Sequence, residues 1–255
     1  MILKIKQIVI IITLISVTSC KEEPFKLSEI AGKQIVITDS ISETTKIKDF
    51  IAPFQKHIDK VLDSTLAYAP YKITKEDGEF NTTAGNLMAD AVLELVQPVF
   101  FNRTRKNVDF VLLNHGGIRS IISKGNVTTR TAYEVMPFEN TIMVASLKGK
   151  AVRELVNYLI KSKRPHPISG IQIIINNDES INAVNIQNKP FDENKVYYIA
   201  TSNYLVNGGD HMDFFKEHIS LTETDYLIRN IMIDYFEKND TIAPIVDDRF
   251  VKLDK

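Results

Sequence analysis

The stretch Leu112-Leu-Asn-His-Gly-Gly-Ile-Arg-Ser120 carries a strand into a turn. It closes the apolar run 108–113, which only Asp109 interrupts and whose length and β-branched content suit a buried strand. Gly116 and Gly117 permit a tight turn and let a ligand come close to the backbone. Arg119, just past the turn, offers a planar fork of donors suited to phosphate or carboxylate oxygens. Taken alone, the stretch reads equally well as a strand-ending turn with a solvated arginine. A second stretch, Tyr204-Leu-Val-Asn-Gly-Gly-Asp210, repeats the strand-to-Asn-Gly-Gly arrangement and closes it with a charge of opposite sign.

Around these turns lie 255 residues, enough for one large domain or two small ones. Hydrophobic content of 44% and charged content of 25% are those of a soluble globular protein. A net charge of −1 gives no electrostatic case for nucleic-acid binding. Cys20 is the only cysteine, which excludes an intramolecular disulfide and a thiolate metal cluster.

The N-terminus reads as a targeting segment. Lys4 and Lys6 precede an almost unbroken apolar run over 8–17, too short to span a bilayer, which takes about 20 apolar residues. A basic start before a short apolar core is a secretory signal. Val17-Thr-Ser-Cys20 resembles the lipobox of bacterial lipoproteins, in which the cysteine becomes the lipidated first residue, and Cys20-Lys-Glu-Glu resembles an acidic tag for the outer cell surface. The expected organisation is a signal peptide over 1–20, a tether over 21–45 with one short strand near Ile35 and Ile37, and a folded domain over 46–255. Lipidation of Cys20 would anchor the secreted chain at the outer membrane, on its periplasmic side or at the cell surface.

Apolar residues at Ile47, Phe50, Ile51, Phe54, Ile58 and Val61 have helix spacing and predict a helix over 47–66, with a strand over 71–73 after Pro70. Leu87, Met88, Ala91, Val92, Leu95 and Val96 form the apolar face of a second helix, capped by Thr82 or Thr83 and ended at Gln97-Pro98. Gly85 near its start costs about 1 kcal/mol relative to alanine, which close packing against another backbone would explain. Further helices are predicted over 131–135, 148–160 and 225–236, and strands over 140–146, 170–175, 183–186 and 196–201. Helices and strands mix without a regular βαβ alternation, so the fold class is α+β: one layered domain with a mixed sheet and packed helices.

No serine sits in a G-x-S-x-G elbow, and no G-x-x-x-x-G-K-[ST] loop is present. His57, His115, His166, His211 and His218 form neither H-x-H nor H-E-x-x-H. Asp210-His211 with Asp213 is the nearest approach to a metal-ligand cluster, and no second cluster completes it.

Five motifs, Gly85-Asn-Leu-Met-Ala-Asp90, Leu113-Asn-His-Gly-Gly-Ile-Arg119, Met136-Pro-Phe138, Leu147-Lys-Gly149 and Tyr204-Leu-Val-Asn-Gly-Gly-Asp210, occur in an order that resembles the C-terminal domain of periplasmic and cell-surface 5′-nucleotidases. UDP-sugar hydrolases and 2′,3′-cyclic-nucleotide phosphodiesterases share that domain. The resemblance covers about 46–253 and implies the fold of that domain. In the family an N-terminal metallophosphoesterase domain holds two metal ions and does the chemistry, while the C-terminal domain binds the nucleoside. The metal-domain motifs, D-x-H, G-D-x-x-D, G-N-H-[DE] and a late H-x-H, are not found in these 255 residues. The resemblance therefore implies no cofactor and no catalytic residue in this chain. Divalent metals are expected on a partner metallophosphoesterase chain.

Position by position, the resemblance implies that Arg119 contacts the phosphate and ribose region and that Asn114 reaches the base or its edge. Phe138 and Tyr204 would sandwich the base, and Asp210 would accept hydrogen bonds from ribose hydroxyls. Asn207, Gly208 and Gly209 would shape the turn presenting Asp210. Core packing competes with the stacking role for Phe138, and a strand bend competes with close approach to the base for Gly170; Asn86 and Asp90 read as structural. Tyr204 replaces the family's usual phenylalanine but keeps a π-face. Gly78-Glu-Phe-Asn81 lacks an arginine that the family often carries there. Two functions follow: the nucleotide- or nucleoside-binding half of a split phosphohydrolase in nucleotide catabolism, not catalytic alone, and a non-catalytic surface lipoprotein that captures nucleotides.

Overall fold

The computed structural model describes Ile5 and residues 26–38, 41–42 and 44–253; the predicted signal, lipobox and Cys20 lie outside the described residues. Residues 1–50 and 51–255 form two units. In the first, residues 26–38 are exposed and contain no strand, contrary to the expectation near Ile35 and Ile37. β-branched residues favour a strand only where neighbouring backbone completes the ladder.

Helix α1 (Thr45–Leu62) is amphipathic, with Pro53 inside it. It stops short of the predicted residue 66 because Thr65–Ala69 is strand β1, paired antiparallel with β3 (Gly125–Thr128). Alternate residues Ala67 and Ala69 of β1 are buried, a period of two that overrides the helical one. Arg130 holds Asp59 and Asp63 at 2.7 and 2.6 Å, beside the end of α1. Residues 71–73 form no strand; Ile73 makes a single bridge to Ile122.

Helix α2 (Thr83–Thr104) is capped by Thr82, whose hydroxyl accepts the Gly85 N–H at 3.1 Å. A Cβ on Gly85 would crowd that same hydroxyl at 3.0 Å and meet the Pro167 backbone only at an ordinary 3.6 Å, so the cap side chain, not another backbone, is what sits tightly against the glycine. The helix does not end at Pro98 but runs on past it to Thr104. Proline in a helix interior costs about 3 kcal/mol. Burial of Val96 and Phe100 on either side offsets that loss.

The main sheet has the order β10-β4-β9-β2-β5, from Ser220–Leu227, Thr141–Lys148, Val196–Ser202, Phe110–Leu112 and Ile168–Ser169. Only β9 and β2 run parallel. Its two faces feed two cores. Val111, Ile142, Val144 and Ala200 pack with α2 and with α6 (Ile228–Lys238). Phe110, Leu112, Ala145, Leu147 and Ile199 pack with α4 (Gly149–Ser162) and a second sheet. Alternation along β4 sends neighbours to opposite faces, which is why the strand is buried without a break from Ile142 to Leu147. The second sheet, β11-β6-β7-β8, is built from Phe250–Lys252, Ile171–Ile175, Ile181–Ile186 and Lys189–Pro190. Its β11 and β6 are parallel. Arg249 ties it back to α2 by a two-pronged contact with Asp90 at 2.9 and 3.0 Å. A mixed-sheet α+β domain is thus the observed architecture.

Strand β10 occupies residues where a helix was expected from 225. Asp225 sits at φ 56°, a left-handed position that helix α6 cannot include, so the helix starts at Ile228. Two short helices complete the chain: α3 (Thr129–Val135), with a capping box from Thr128 and Thr131, and α5 (Asn203–Val206).

Candidate functional site

Strand register brings three segments to one end of the main sheet. Because β2 and β9 are parallel, with Val111 opposite Ala200, the turns that follow them leave at the same end. Strand β4 is antiparallel to β9, with Ile142 opposite Ser202, so the residues entering β4 arrive there too. Crevices beyond the carboxyl ends of parallel strands are where such loops gather ligands. The turn after β2 contributes Asn114, Gly116 and Arg119 to a cavity of about 400 Å³. The entry to β4 contributes Phe138 and Asn140, and the turn after β9 contributes Tyr204 and Asp210.

In the first turn Asn114 is extended and residues His115–Gly117 form a 3-10 turn, closed by the Gly117 N–H on the Asn114 carbonyl at 3.0 Å. The His115 N–H donates to Nδ1 of His166 at 3.2 Å. An accepting Nδ1 places the imidazole proton on Nε2, a buried atom without a partner among the described residues. Burial lowers the His166 pKa to about 4, with the Asp210 charge opposing. Burial and then the Lys75 charge also lower that of His115. Lys75 reaches the turn directly, its Nζ donating to the Ile118 carbonyl at 2.8 Å. Arg119 is exposed; its Nη1 donates to the Gly116 carbonyl at 3.3 Å and its guanidinium lies 5.8 Å from the centre of the Phe138 ring, within cation–π range.

The segment 137–140 is held from α6. Arg229, itself buried, donates from Nη1 to the Pro137 carbonyl at 3.3 Å, approaches Glu139 at 3.7 Å and lies 4.2 Å over Tyr133. The Asn140 carbonyl accepts the Ile228 N–H at 2.9 Å. Phe138 is 42% exposed and Tyr204 43%, so neither ring is a core residue.

In the third segment Ser202 caps α5 by accepting the Leu205 N–H at 3.2 Å. The chain then turns through Gly208 at φ 92°, Asp210 at 52° and His211 at 59°. Tyr204 Oη donates to Asp210 Oδ1 at 2.9 Å and accepts the Asp210 N–H at 3.3 Å. Tyr158 Oη donates to the Asp210 carbonyl at 2.8 Å. A Cβ on Gly209 would fall 2.4 to 2.6 Å from the Tyr204 ring.

Of the residues predicted from sequence, Asn114, Arg119, Phe138, Tyr204 and Asp210 thus share one cavity. Gly208 and Gly209 line a neighbouring cavity of about 610 Å³. Asn207 is turned elsewhere, its amide donating to the Asn203 carbonyl at 2.8 Å. Gly170 lies away from the cavity at φ 81°, where a Cβ would meet the Asp109 carbonyl at 2.7 Å; it is a backbone bend. Asn86 binds Asn81 and the Ile245 carbonyl, each at 2.8 Å, as a structural residue. Asn140, Tyr158, His166 and Arg229 escaped the sequence reading. Only Asn140 carries a local signal, two residues beyond Phe138. Asp210, His211 and Asp213 do not fit a metal ion: Asp210 Oδ1 is engaged by Tyr204, and Asp213 pairs with Lys216 at 2.6 Å. No metal-ligating group of three occurs among the described residues.

A family profile described as 5′-nucleotidase, C-terminal domain, matches residues 66–217. The chain is 24% identical over 215 residues to Protein UshA of Yersinia enterocolitica, covering 82% of this chain and 37% of that protein. It is 25% identical over 218 residues to a 5′-nucleotidase of Vibrio parahaemolyticus, covering 83% and 37%. Among solved structures, a 5′-nucleotidase precursor from Thermus thermophilus superposes with a TM-score of 0.69 at 21% identity, over 83% of this chain and 44% of that one. The chain spans less than half the length of these relatives.

Proposed function

Since this chain belongs to the 5′-nucleotidase C-terminal domain family, we propose that it is the nucleotide- or nucleoside-binding half of a 5′-nucleotidase-type phosphohydrolase in nucleotide catabolism. A separate metallophosphoesterase chain supplies the divalent metals and the hydrolytic step, and Cys20 carries a lipid that anchors this half outside the inner membrane.

The observation that carries this reading is the convergence of two exposed rings, one exposed guanidinium and one carboxylate on a single cavity. Phe138 and Tyr204 offer faces for a base, and stacking contributes about 1 to 3 kcal/mol per base with little regard to its identity. Arg119 meets the phosphate with charge-assisted hydrogen bonds. Its contact with Phe138 keeps the cation beside the base platform. Asp210 accepts from the sugar hydroxyls through Oδ2, which no protein donor occupies among the described residues. Asn114 meets the base edge. The family's missing arginine has a cationic neighbour in Lys75, whose amine stands on the same turn as Arg119.

Calorimetric titration of adenosine and its monophosphate into the full chain tests the reading. Both are expected to bind, the monophosphate more tightly. Nucleotide hydrolysis is expected only when a metallophosphoesterase chain is added. No binding of either ligand, with or without that chain, would refute the assignment.

A further inference from the structure

Two consecutive non-glycine residues in the left-handed region, Asp210 and His211, form a strained arrangement that persists only where the surroundings over-determine it. Two tyrosine hydroxyls do so here. Tyr158 holds the Asp210 carbonyl at 2.8 Å. Tyr204 closes a ring with the same residue, donating to Oδ1 at 2.9 Å and accepting the backbone N–H at 3.3 Å. The Tyr204 ring presses so closely on Gly209 that no Cβ fits between them. Ring, turn and carboxylate are therefore one rigid piece, and both ends of it border the same cavity. A phenylalanine at this position would supply the ring face without the two hydrogen bonds.

We infer that the Tyr204 hydroxyl is a positioning group that presets Asp210, so that the site selects ligands carrying the 2′- and 3′-hydroxyls of the sugar over ligands with the same base that lack them. The inference rests on the nucleoside reading above. Its physical basis is preorganisation: Tyr204 holds Oδ1 and the N–H of a residue that lines the cavity, so a sugar hydroxyl binds at the remaining oxygen without first ordering the carboxylate. The aromatic face reads the base, and the hydroxyl on its edge sets the reader of the sugar.

The test compares adenosine with 2′,3′-dideoxyadenosine by calorimetry on the full chain, as wild type, Tyr204→Phe and Asp210→Asn. Tyr204→Phe is expected to weaken adenosine about tenfold, the scale of one lost preorganised polar contact, and dideoxyadenosine by less than about twofold, since stacking survives. Asp210→Asn is expected to narrow the gap between the two ligands in the same way. Adenosine binding that is unchanged or tighter in Tyr204→Phe would overturn the inference, as would an equal loss for both ligands, which would make the hydroxyl a packing group. A ligand-free measurement reports the clamp itself. In ¹³C-tyrosine NMR the Tyr204 phenol is expected to titrate above its ordinary value because of its hydrogen bond to Asp210, and Asp210→Asn is expected to bring it down. A phenol indifferent to Asp210→Asn refutes the clamp. Failure of the wild type to bind either nucleoside, with the phenol still coupled to Asp210, refutes instead the nucleoside reading and the selectivity built on it.

Discussion

The turns after β2 and β9 are spelled alike, Asn114-His-Gly-Gly and Asn207-Gly-Gly-Asp, and built differently. In the first, neither glycine has a left-handed φ. A Cβ on Gly116 would meet only the Asn114 amide at 3.4 Å, and one on Gly117 the movable ends of Asn114 and Met136 at 3.1 and 3.2 Å. In the second, Gly208 sits at φ 92°, and Gly209 has no room for a Cβ under the Tyr204 ring. The strain there extends to Asp210 and His211, which have side chains. The first turn is held from outside by His166 and Lys75, the second by the ring and hydroxyl of its own Tyr204 together with the Tyr158 hydroxyl. Paired glycines therefore mark a place where backbone crowds something, without saying whether that is a ligand, a ring or a soft side chain.

Gly209→Ala would break the comparison most directly. It should destabilise the protein by about 3 kcal/mol, the upper end of over-packing, and abolish nucleoside binding by displacing Tyr204; denaturant titration and calorimetry read the two effects. A neutral Gly209→Ala would erase the distinction between the turns.

Acidification reaches the first turn through His166. The folded pKa of His166, about 4, lies below its ordinary 6.5, so the unfolded chain binds the extra proton between those values. The contribution is complete above pH 6.5 and is lost as pH falls toward 4, amounting to about 2 kcal/mol between pH 7.5 and 5. Chemical denaturation at the two pH values, compared with His166→Gln, checks this; equal slopes in both proteins would place the titration elsewhere.

If the first turn meets the phosphate and the second the sugar, as proposed, Arg119→Ala should weaken adenosine monophosphate about tenfold, or 1.4 kcal/mol, and adenosine by less than twofold. Equal losses in calorimetry would merge the two roles. Gly116→Ala, the smallest change, should shift stability by no more than about 0.5 kcal/mol in denaturant titration.

Sequence patterns were readable where local and tertiary demands agree. The apolar run before Asn114 became β2, Thr82 became the cap of α2, and the spacing of Val152, Leu155, Val156 and Leu159 became the buried face of α4. They misled where packing overruled local preference. Pro98 did not stop α2, because the helix lies on a core that buries Phe100. Strand β10 went unread: Ser220, Thr222 and Glu223 carry no continuous apolar pattern, yet β4 supplies a ladder for them. Ile35 and Ile37 look like a strand and are exposed without one.

The sequence by itself determined the α+β class and the two glycine-paired turns, because each rests on local pattern, while the resemblance of its motifs to a family marked Asn114, Arg119, Phe138, Tyr204 and Asp210 as candidate site residues. Only the tertiary structure decided that these residues meet, since that depends on β2 and β9 being parallel neighbours and on β4 arriving against them. It alone decided, too, that Asn207 turns away, that Gly170 is a bend, and that Tyr158, His166 and Arg229 brace the site from elements distant in the chain. Hydrogen-bond partners far apart in the chain leave no mark in a local pattern; they exist because the strands that carry them pair.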